Sequence, residues 1–234
     1  MNTYRKIAIV AGIFIIVGMI TGFACTVSSS ILNNTDYLIK IPENEGRIIS
    51  GAILVLIRGL ALAMASLLIY QVVKKQNTIL AGAYLILRGI LETFTYILIS
   101  ICWLLLLSLG LEFAKTEHPD VPTFQIIGNI LLKAAHWSTL NTVIIFSLGL
   151  IILYYLLFRS ELVPRWISTW GICIITVHLG FDIFLLFGHA SAHSVTHDVL
   201  HILLFLQDIV FALWLIAKGF DRSAVASILN NRNK

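Results

Sequence analysis

Six long apolar segments divide this 234-residue sequence and limit what it can fold into. They occupy residues 7–27, 48–73, 78–111, 124–158, 166–187 and 197–217. A helix needs about 20 predominantly apolar residues to cross the hydrocarbon core of a bilayer, and each segment meets this length. The third and fourth segments exceed it, so we expect them to tilt or to extend beyond the bilayer. The pattern predicts an all-α, polytopic membrane protein, a bundle of six transmembrane helices.

The polar joints between the segments alternate in positive charge. One set of joints and ends carries ten basic residues: Arg5, Lys6, Lys74, Lys75, Arg159, Arg165, Lys218, Arg222, Arg232 and Lys234. The opposite joints, residues 28–47, 111–123 and 188–196, carry three: Lys40, Arg47 and Lys115. Cytoplasmic loops of membrane proteins are enriched in Lys and Arg. The distribution therefore predicts that both termini lie in the cytoplasm.

The composition excludes a soluble globular protein. Hydrophobic residues make up 59% of the sequence, charged residues 12%, and the mean hydropathy is +0.94. This leaves too little polar surface to solvate a soluble domain of this size. The net charge of +4 comes mostly from the predicted cytoplasmic joints, so it favours the bilayer and its anionic headgroups as partners over nucleic acid. No low-complexity linker divides the sequence, and we expect residues 1–234 to form one domain.

Three stretches of the sequence resemble a known family. They are the opening segment at 6–22, the joint at 157–171 and the closing stretch at 213–220. The joint contains the unusual string Phe-Arg-Ser-Glu-Leu-Val-Pro-Arg at 158–165. Together they resemble the bacterial membrane family called domain of unknown function 4386. The resemblance implies a multi-pass protein of the bacterial plasma membrane with about this number of helices, and it implies no activity.

Four ionisable residues lie near the middle of predicted spans: Arg58, Arg88, Glu92 and Asp208. A charged side chain at a helix centre costs at least about 2.5 kcal/mol on insertion scales, so each needs a partner or a function. Arg88 and Glu92 are four residues apart and can pair on one helix face. Arg58 could pair with Glu92 or Asp208 on another helix. The nearly balanced charge favours a network that fixes helix contacts over a proton or ion relay.

A second polar group is rich in histidine. His178 and Asp182 share a face of the fifth segment, and His136 lies in the outer part of the fourth. Four further histidines recur at every fourth position across the last predicted outer joint and into the sixth segment: His189, His193, His197 and His201. Five of the seven histidines in the chain thus fall within residues 178–201. The spacing predicts that several of these side chains meet near the outer face.

Two histidines four residues apart present both imidazoles on one helix face, an arrangement suited to a metal ion. His197 and His201 are therefore candidate zinc ligands, with a third ligand from Asp182, His178 or His136. The fourth coordination position would be free for a water molecule. In the alternative interpretation, His197 and His201 are interfacial side chains, Asp182 bonds to His178, and His189 and His193 are solvated loop residues.

The sequence leaves the function open between different classes. One candidate is a non-enzymatic sensor, accessory or immunity-type factor with a polar His/Asp cavity that faces outside. The other is a zinc-dependent membrane hydrolase that acts on a lipid or amphiphile at the outer leaflet. The late His-x-x-x-His of this sequence, at His197 and His201, is similar to that of ceramidase-like and adiponectin-receptor-like hydrolases, which have seven spans. A small transporter comes third, because the sequence lacks the short broken helices expected at matching places in its two halves.

Overall fold

The computed structural model describes residues 3–187 and 195–231, and these residues form helices joined by short turns. The α-helices are α1 Thr3–Ala24, α2 Thr26–Leu32, α3 Tyr37–Glu43, α4 Glu45–Val73, α5 Thr78–Tyr84, α6 Glu92–Lys115, α7 Val121–Ser160, α8 Arg165–Leu186, α9 Val195–Ala217 and α10 Arg222–Asn231. A π-helical segment, Leu85–Leu91, joins α5 to α6. Within this described part no strand is present, which confirms the predicted all-α class.

Six helical stretches of the described chain are long and apolar enough to cross a membrane. They are Thr3–Leu32, Glu45–Val73, Thr78–Lys115, Val121–Ser160, Arg165–Leu186 and Val195–Ala217. Each contains one of the six predicted segments or most of it, so the chain is a multi-pass membrane protein, as predicted. The 40 residues of α7 extend for about 60 Å, well beyond a hydrocarbon core of about 30 Å. The orientation of the termini stays a prediction.

Local chemistry explains where several helices begin and end. Asn77 precedes α5 and its side chain accepts a hydrogen bond from the amide of Leu80 at 3.0 Å, as an N-cap residue does. Pro164 precedes α8 with φ −53° and ψ 134°, an extended conformation from which a helix can start. Gly219 follows α9 with φ +78°, and its amide bonds back to the carbonyl of Trp214 at 3.0 Å. Glycine adopts this left-handed conformation without steric cost.

The π-helical segment lies inside the third span and was not expected from the sequence. At its end, the amide of Glu92 donates to the carbonyl of Leu87, five residues back rather than four. A π-helical turn is wider than an α-turn and is rare in proteins, where it often occurs at functional positions. It carries Arg88 and leads directly into Glu92, two of the ionisable residues predicted to need a partner.

The described residues form two compact units, and the boundaries between them fall within helices. The first unit comprises the described parts of 1–17, 61–92 and 143–234. It contains the whole of α8, α9 and α10. Its helices approach closely at Gly12 of α1, where an added Cβ would lie 2.7 Å from Cγ1 of Ile216 and 2.8 Å from the carbonyl oxygen of Ala212. Small residues permit such approaches between membrane helices.

The second unit comprises residues 18–60 and 93–142. Hydroxyl groups link its helices: that of Ser28 donates to the carbonyl of Arg47 at 2.7 Å, that of Ser100 to the carbonyl of Ala52 at 3.0 Å, and that of Thr142 to the hydroxyl of Thr95 at 2.7 Å. Such bonds satisfy polar groups where water is scarce. The predicted outer joint at 28–47 is largely helical in this unit, because α2 and α3 fill most of it. The expectation of one domain for the whole chain stays a prediction.

Candidate functional site

The candidate site lies between α8 and α9 in the first unit. Along α8 the buried residues recur every three or four positions and form one face: Ile167, Ser168, Gly171, Ile174, Ile175, His178 and Asp182. His178 and Asp182 therefore continue an otherwise mostly apolar stripe. The buried face of α9 follows the same periodicity: Leu200, Leu204, Gln207, Phe211, Ala212 and Leu215. Packing of these helices brings the end of α8 beside the beginning of α9.

Four predicted site residues meet there, and we call them the His/Asp group: His178, Asp182, His197 and His201. Nδ1 of His178 lies 2.5 Å from Oδ2 of Asp182, and Oδ1 of Asp182 lies 3.5 Å from Nε2 of His197. Nε2 of His197 lies 3.0 Å from Nε2 of His201. The His178 and His201 rings are also close, with centroids 4.7 Å apart. The contacts thus form a continuous chain through all four side chains.

Burial increases along this chain of contacts. His201 is exposed, the side chain of His197 is 17% exposed, that of Asp182 is 5% exposed and that of His178 is fully buried. Aromatic rings flank the inner members. Phe146 lies 6.2 Å from His178 and Phe181 stacks on His197 at 5.9 Å between ring centroids. The group therefore leads from an accessible imidazole to an enclosed one.

The inner part of the group has unused hydrogen-bonding capacity. Although His178 and Asp182 are within ion-pair distance, neither nitrogen of His178 nor Oδ2 of Asp182 makes a well-directed hydrogen bond to the described protein. Distance and direction disagree here, and direction decides whether a hydrogen bond forms. Buried polar atoms are nearly always bonded, so exceptions indicate a bound ion, a water molecule or a functional role. The predicted Asp182–His178 hydrogen bond is therefore not formed in this arrangement.

The spacing of the donor atoms can be compared with that of a zinc site. Tetrahedral zinc with ligands at about 2.0–2.1 Å separates two ligand atoms by about 3.3 Å. The separations of 3.0 Å between His201 and His197, and 3.5 Å between His197 and Asp182, lie on either side of this value. In the part of the chain that is described, however, no three His, Cys, Asp or Glu side chains are positioned to hold a metal ion. Metal binding would require rotation of these side chains.

Three further histidines were predicted at this site: His136, His189 and His193. His136 lies on α7 within the second unit, where its ring is 6.0 Å from that of Trp137. Its role as a metal ligand stays a prediction. His189 and His193 lie outside the described residues. Of the alternatives for a third ligand, Asp182 and His178 are the ones that contact the other members.

The four ionisable residues near the middle of predicted spans belong to both units: Arg88, Glu92 and Asp208 to the first, and Arg58 to the second. In the first unit, Nη1 of Arg88 donates to both carboxylate oxygens of Glu92, and the two side chains are 10% and 1% exposed. The Arg88 guanidinium also lies over the ring of Phe146, 5.7 Å from its centroid. Arg88 and Asp208 both line a cavity of about 20 Å³, which is large enough for one water molecule.

Arg58 belongs to the second unit. Its guanidinium lies 5.1 Å from the centroid of the Tyr96 ring. It also packs on Gly22, where an added Cβ would lie 2.6 Å from Nη1. A cation over an aromatic face is favourable in a setting with little water. The predicted pairing of Arg58 with Glu92 or Asp208 stays a prediction.

A family model described as Domain of unknown function (DUF4386) matches residues 10–219 of the chain. The chain belongs to this family. The match confirms the family that the sequence motifs predict, and it includes the whole His/Asp group. No curated protein and no solved structure matches the chain. The function of this DUF4386 protein must therefore be argued from its own residues.

Gln207 is a buried polar residue of this DUF4386 protein that the sequence patterns did not single out. Its side chain is within the apolar face of α9 and donates to the carbonyl of Ile167 on α8 at 3.0 Å. It thereby links the two helices that carry the His/Asp group. The available signal was an amide within a strongly apolar span, four residues before Phe211 on the buried face.

Proposed function

We propose that this DUF4386 member is a non-enzymatic membrane protein, of the sensor or accessory kind, that takes up a zinc-like divalent cation at the His/Asp group. The observation that supports this most strongly is the buried His178–Asp182 contact, whose nitrogen and oxygen atoms lack well-directed hydrogen bonds. Neutral imidazole nitrogens and carboxylate oxygens are ligands that zinc commonly takes in proteins.

Electrostatics supports a cation at this place. An ionised carboxylate in an apolar interior costs several kcal/mol unless a positive charge or directed hydrogen bonds compensate it. The side chains that approach Asp182 within the group are imidazoles, which carry no permanent positive charge. A divalent cation would supply the missing charge and use the imidazole lone pairs at once. Protons would compete for the same nitrogens.

Enclosure of the inner residues favours binding over catalysis. A catalytic zinc ion keeps an open coordination position for water or substrate. His178 and Asp182 are buried, and aromatic rings cover the inner part of the group. The zinc-dependent hydrolase is retained as the second candidate because His201 is exposed and would leave the outer end of the group open. A lipid or other amphiphile would be its substrate class.

The proposed location follows from the charge distribution. With ten basic residues on one side and three on the other, we place both termini in the cytoplasm of a bacterial cell and the His/Asp group near the outer face of the plasma membrane. Reporter fusions after Lys75 and Arg159 should then report cytoplasm, and a fusion within 112–122 should report the outside. An outside signal at Arg159 would contradict this topology.

Metal content tests the function directly. We expect tag-free, full-length protein purified with zinc to hold about one ion per chain by elemental analysis. His197→Ala, His201→Ala and Asp182→Asn should lose it, while His118→Ala, an exposed histidine elsewhere, should keep it. Occupancy should also fall as the pH is lowered, because protons compete with the metal for the imidazole nitrogens.

Two results would redirect the proposal. Wild-type protein that remains metal-free when zinc is supplied would contradict cation binding. Zinc-loaded protein that cleaves a lipid ester or amide, with loss of turnover in Asp182→Asn and unchanged turnover in His118→Ala, would replace the sensor role with the hydrolase.

A further inference from the structure

A cavity of about 520 Å³ lies in the first unit where the turn between α7 and α8 meets the turn between α9 and α10. Its charged lining residues are Glu161, Arg165, Lys218, Asp221 and Arg222. The α7–α8 turn contains the Phe-Arg-Ser-Glu-Leu-Val-Pro-Arg string at 158–165, which the His/Asp group does not use. The volume is within the range of small-molecule sites.

Main-chain contacts fix the walls of this cavity. The amide of Asp221 donates to the carbonyl of Leu162 at 2.9 Å, which joins the two turns. Leu162 is fully buried. On the other side, Arg5 donates to three consecutive carbonyls at the end of α9: Leu215 at 3.1 Å, Ile216 at 2.6 Å and Ala217 at 2.9 Å. The cavity is therefore bordered by anchored backbone on both turns.

The acidic residues in the lining are already engaged. Glu161 forms an ion pair with Arg165. The carboxylate of Asp221 accepts from the amides of Ser223 at 2.8 Å and Ala224 at 3.0 Å and from the Ser223 hydroxyl at 2.5 Å. These hydrogen bonds, that of the Ser223 side chain first, lower the pKa of Asp221, so its charge is used in capping α10.

Two basic residues in the lining are not engaged. Within the described residues, neither Lys218 nor Arg222 makes an ion pair, and both side chains are exposed. The lining thus presents two positive charges that its own carboxylates do not neutralise. A cavity of this kind is suited to an anion.

The cavity adjoins the ends of two candidate membrane spans, where lipid headgroups are expected. Lys218 directly follows the end of the span Val195–Ala217, and Arg165 is the first residue of the span Arg165–Leu186. Trp214 lines the cavity one turn inside its span, and Trp166 and Trp170 stack at 6.3 Å at the beginning of α8. Tryptophan prefers this interfacial level. The anion that meets such a site most often is the phosphate of a membrane lipid.

We propose that this cavity binds the headgroup phosphate of an anionic phospholipid. Lys218 and Arg222 contact the phosphate, and Trp214 packs on the glycerol region. Basic pockets at the cytoplasmic ends of transmembrane helices bind such headgroups in other proteins. The site is separate from the His/Asp group and does not depend on the proposed cation binding.

Thermal stability of the full-length protein in a neutral detergent tests the proposal, with defined lipids added. Short-chain phosphatidylglycerol should raise the melting temperature of the wild type, and short-chain phosphatidylcholine should not. In Lys218→Gln/Arg222→Gln the concentration of phosphatidylglycerol needed for half of the shift should rise at least tenfold. Lys40→Gln/Lys115→Gln removes the same charge from the opposite set of joints and should respond like the wild type.

If the double variant does not fold, the single variants Lys218→Gln and Arg222→Gln replace it. Each should raise the phosphatidylglycerol concentration needed for half of the shift at least threefold. Lys218→Arg should retain it. Equal stabilisation by phosphatidylcholine would overturn the proposal, as would equal weakening in the Lys40/Lys115 control. Inorganic phosphate that protects the protein as well as the lipid does at the same concentration would also overturn it.

Discussion

Arg88 with Glu92, and His178 with Asp182, are two pairs with the same four-residue spacing, and all four side chains are at most 10% exposed. In the first pair, the arginine donates to both carboxylate oxygens. In the second, the two side chains approach within 2.5 Å without a well-directed hydrogen bond. The two pairs are therefore alike in spacing and burial, and they differ in the direction of their hydrogen bonds.

The difference follows from the chemistry of the partners. Arginine stays protonated at every physiological pH, so the charge of Glu92 always has a permanent counter-charge beside it. Imidazole is cationic only when it is protonated, so a counter-charge for Asp182 requires a proton on the imidazole or another cation. A membrane interior magnifies this contrast because it supplies little water to either carboxylate. We interpret the first pair as structural and the second as responsive.

The largest expected effect concerns the permanently paired carboxylate. Glu92→Gln removes the negative charge beside Arg88 and one of its two acceptor oxygens. Breaking a buried ion pair from one side costs about 3–5 kcal/mol of unfolding free energy. Arg88→Met/Glu92→Leu, which removes both charges, should cost less than Glu92→Gln alone. Chemical denaturation in detergent or bicelles measures both. A double variant that loses the sum of the losses in Arg88→Met and Glu92→Leu would show that the residues do not act as a pair.

The second effect separates the His/Asp group from that pair. Zinc at a free concentration of 100 times its dissociation constant should stabilise the wild type by about 2.7 kcal/mol. Asp182→Asn should abolish this increase and, without zinc, should raise stability or leave it unchanged, because it removes a buried charge that has no permanent counter-charge beside it. Glu161→Gln, which alters an exposed ion pair, should retain the zinc response. Unfolding with and without a zinc buffer distinguishes these outcomes.

The smallest effect concerns a carboxylate held by neutral donors. Asp221→Ala removes the N-cap of α10 and should destabilise this helix by about 1 kcal/mol, with faster amide exchange at residues 222–227. The pKa of Asp221 is lowered in the folded state, so its contribution is present at neutral pH and is lost as the pH falls through that depressed value. Asp221→Asn should keep the cap and remove the acid dependence. Unchanged exchange in Asp221→Ala would refute the capping role.

The six spans could be predicted from the sequence because apolar length alone determines which segments cross a bilayer. The short helices α2 and α3 and the π-helical segment could not be predicted in this way. α2 and α3 were expected to be a polar joint, since their residues, such as Ser29 and Lys40, do not form a long apolar run. The π-helical segment Leu85–Leu91 has an ordinary apolar composition, and its wider turn depends on packing rather than on residue type.

The candidate site was predictable only in part, from the spacing of its residues along each helix. Four-residue spacing placed His178 with Asp182 and His197 with His201 on common helix faces. Which faces meet depends on how α8 packs on α9, through contacts such as that of Gln207 with Ile167. The cavity beside Lys218 and Arg222 was not predicted, because its residues come from two turns that lie far apart in the sequence.

Arg5 also has a consequence for the order of synthesis. Its guanidinium donates to carbonyls 210 to 212 residues further along the chain, at the end of α9. At about 5–20 residues per second, a ribosome needs roughly 10–40 s to make that stretch. During this interval the acceptors of Arg5 do not yet exist. The contacts of Arg5 can therefore form only after the last span has been made, which makes them a marker of completed assembly.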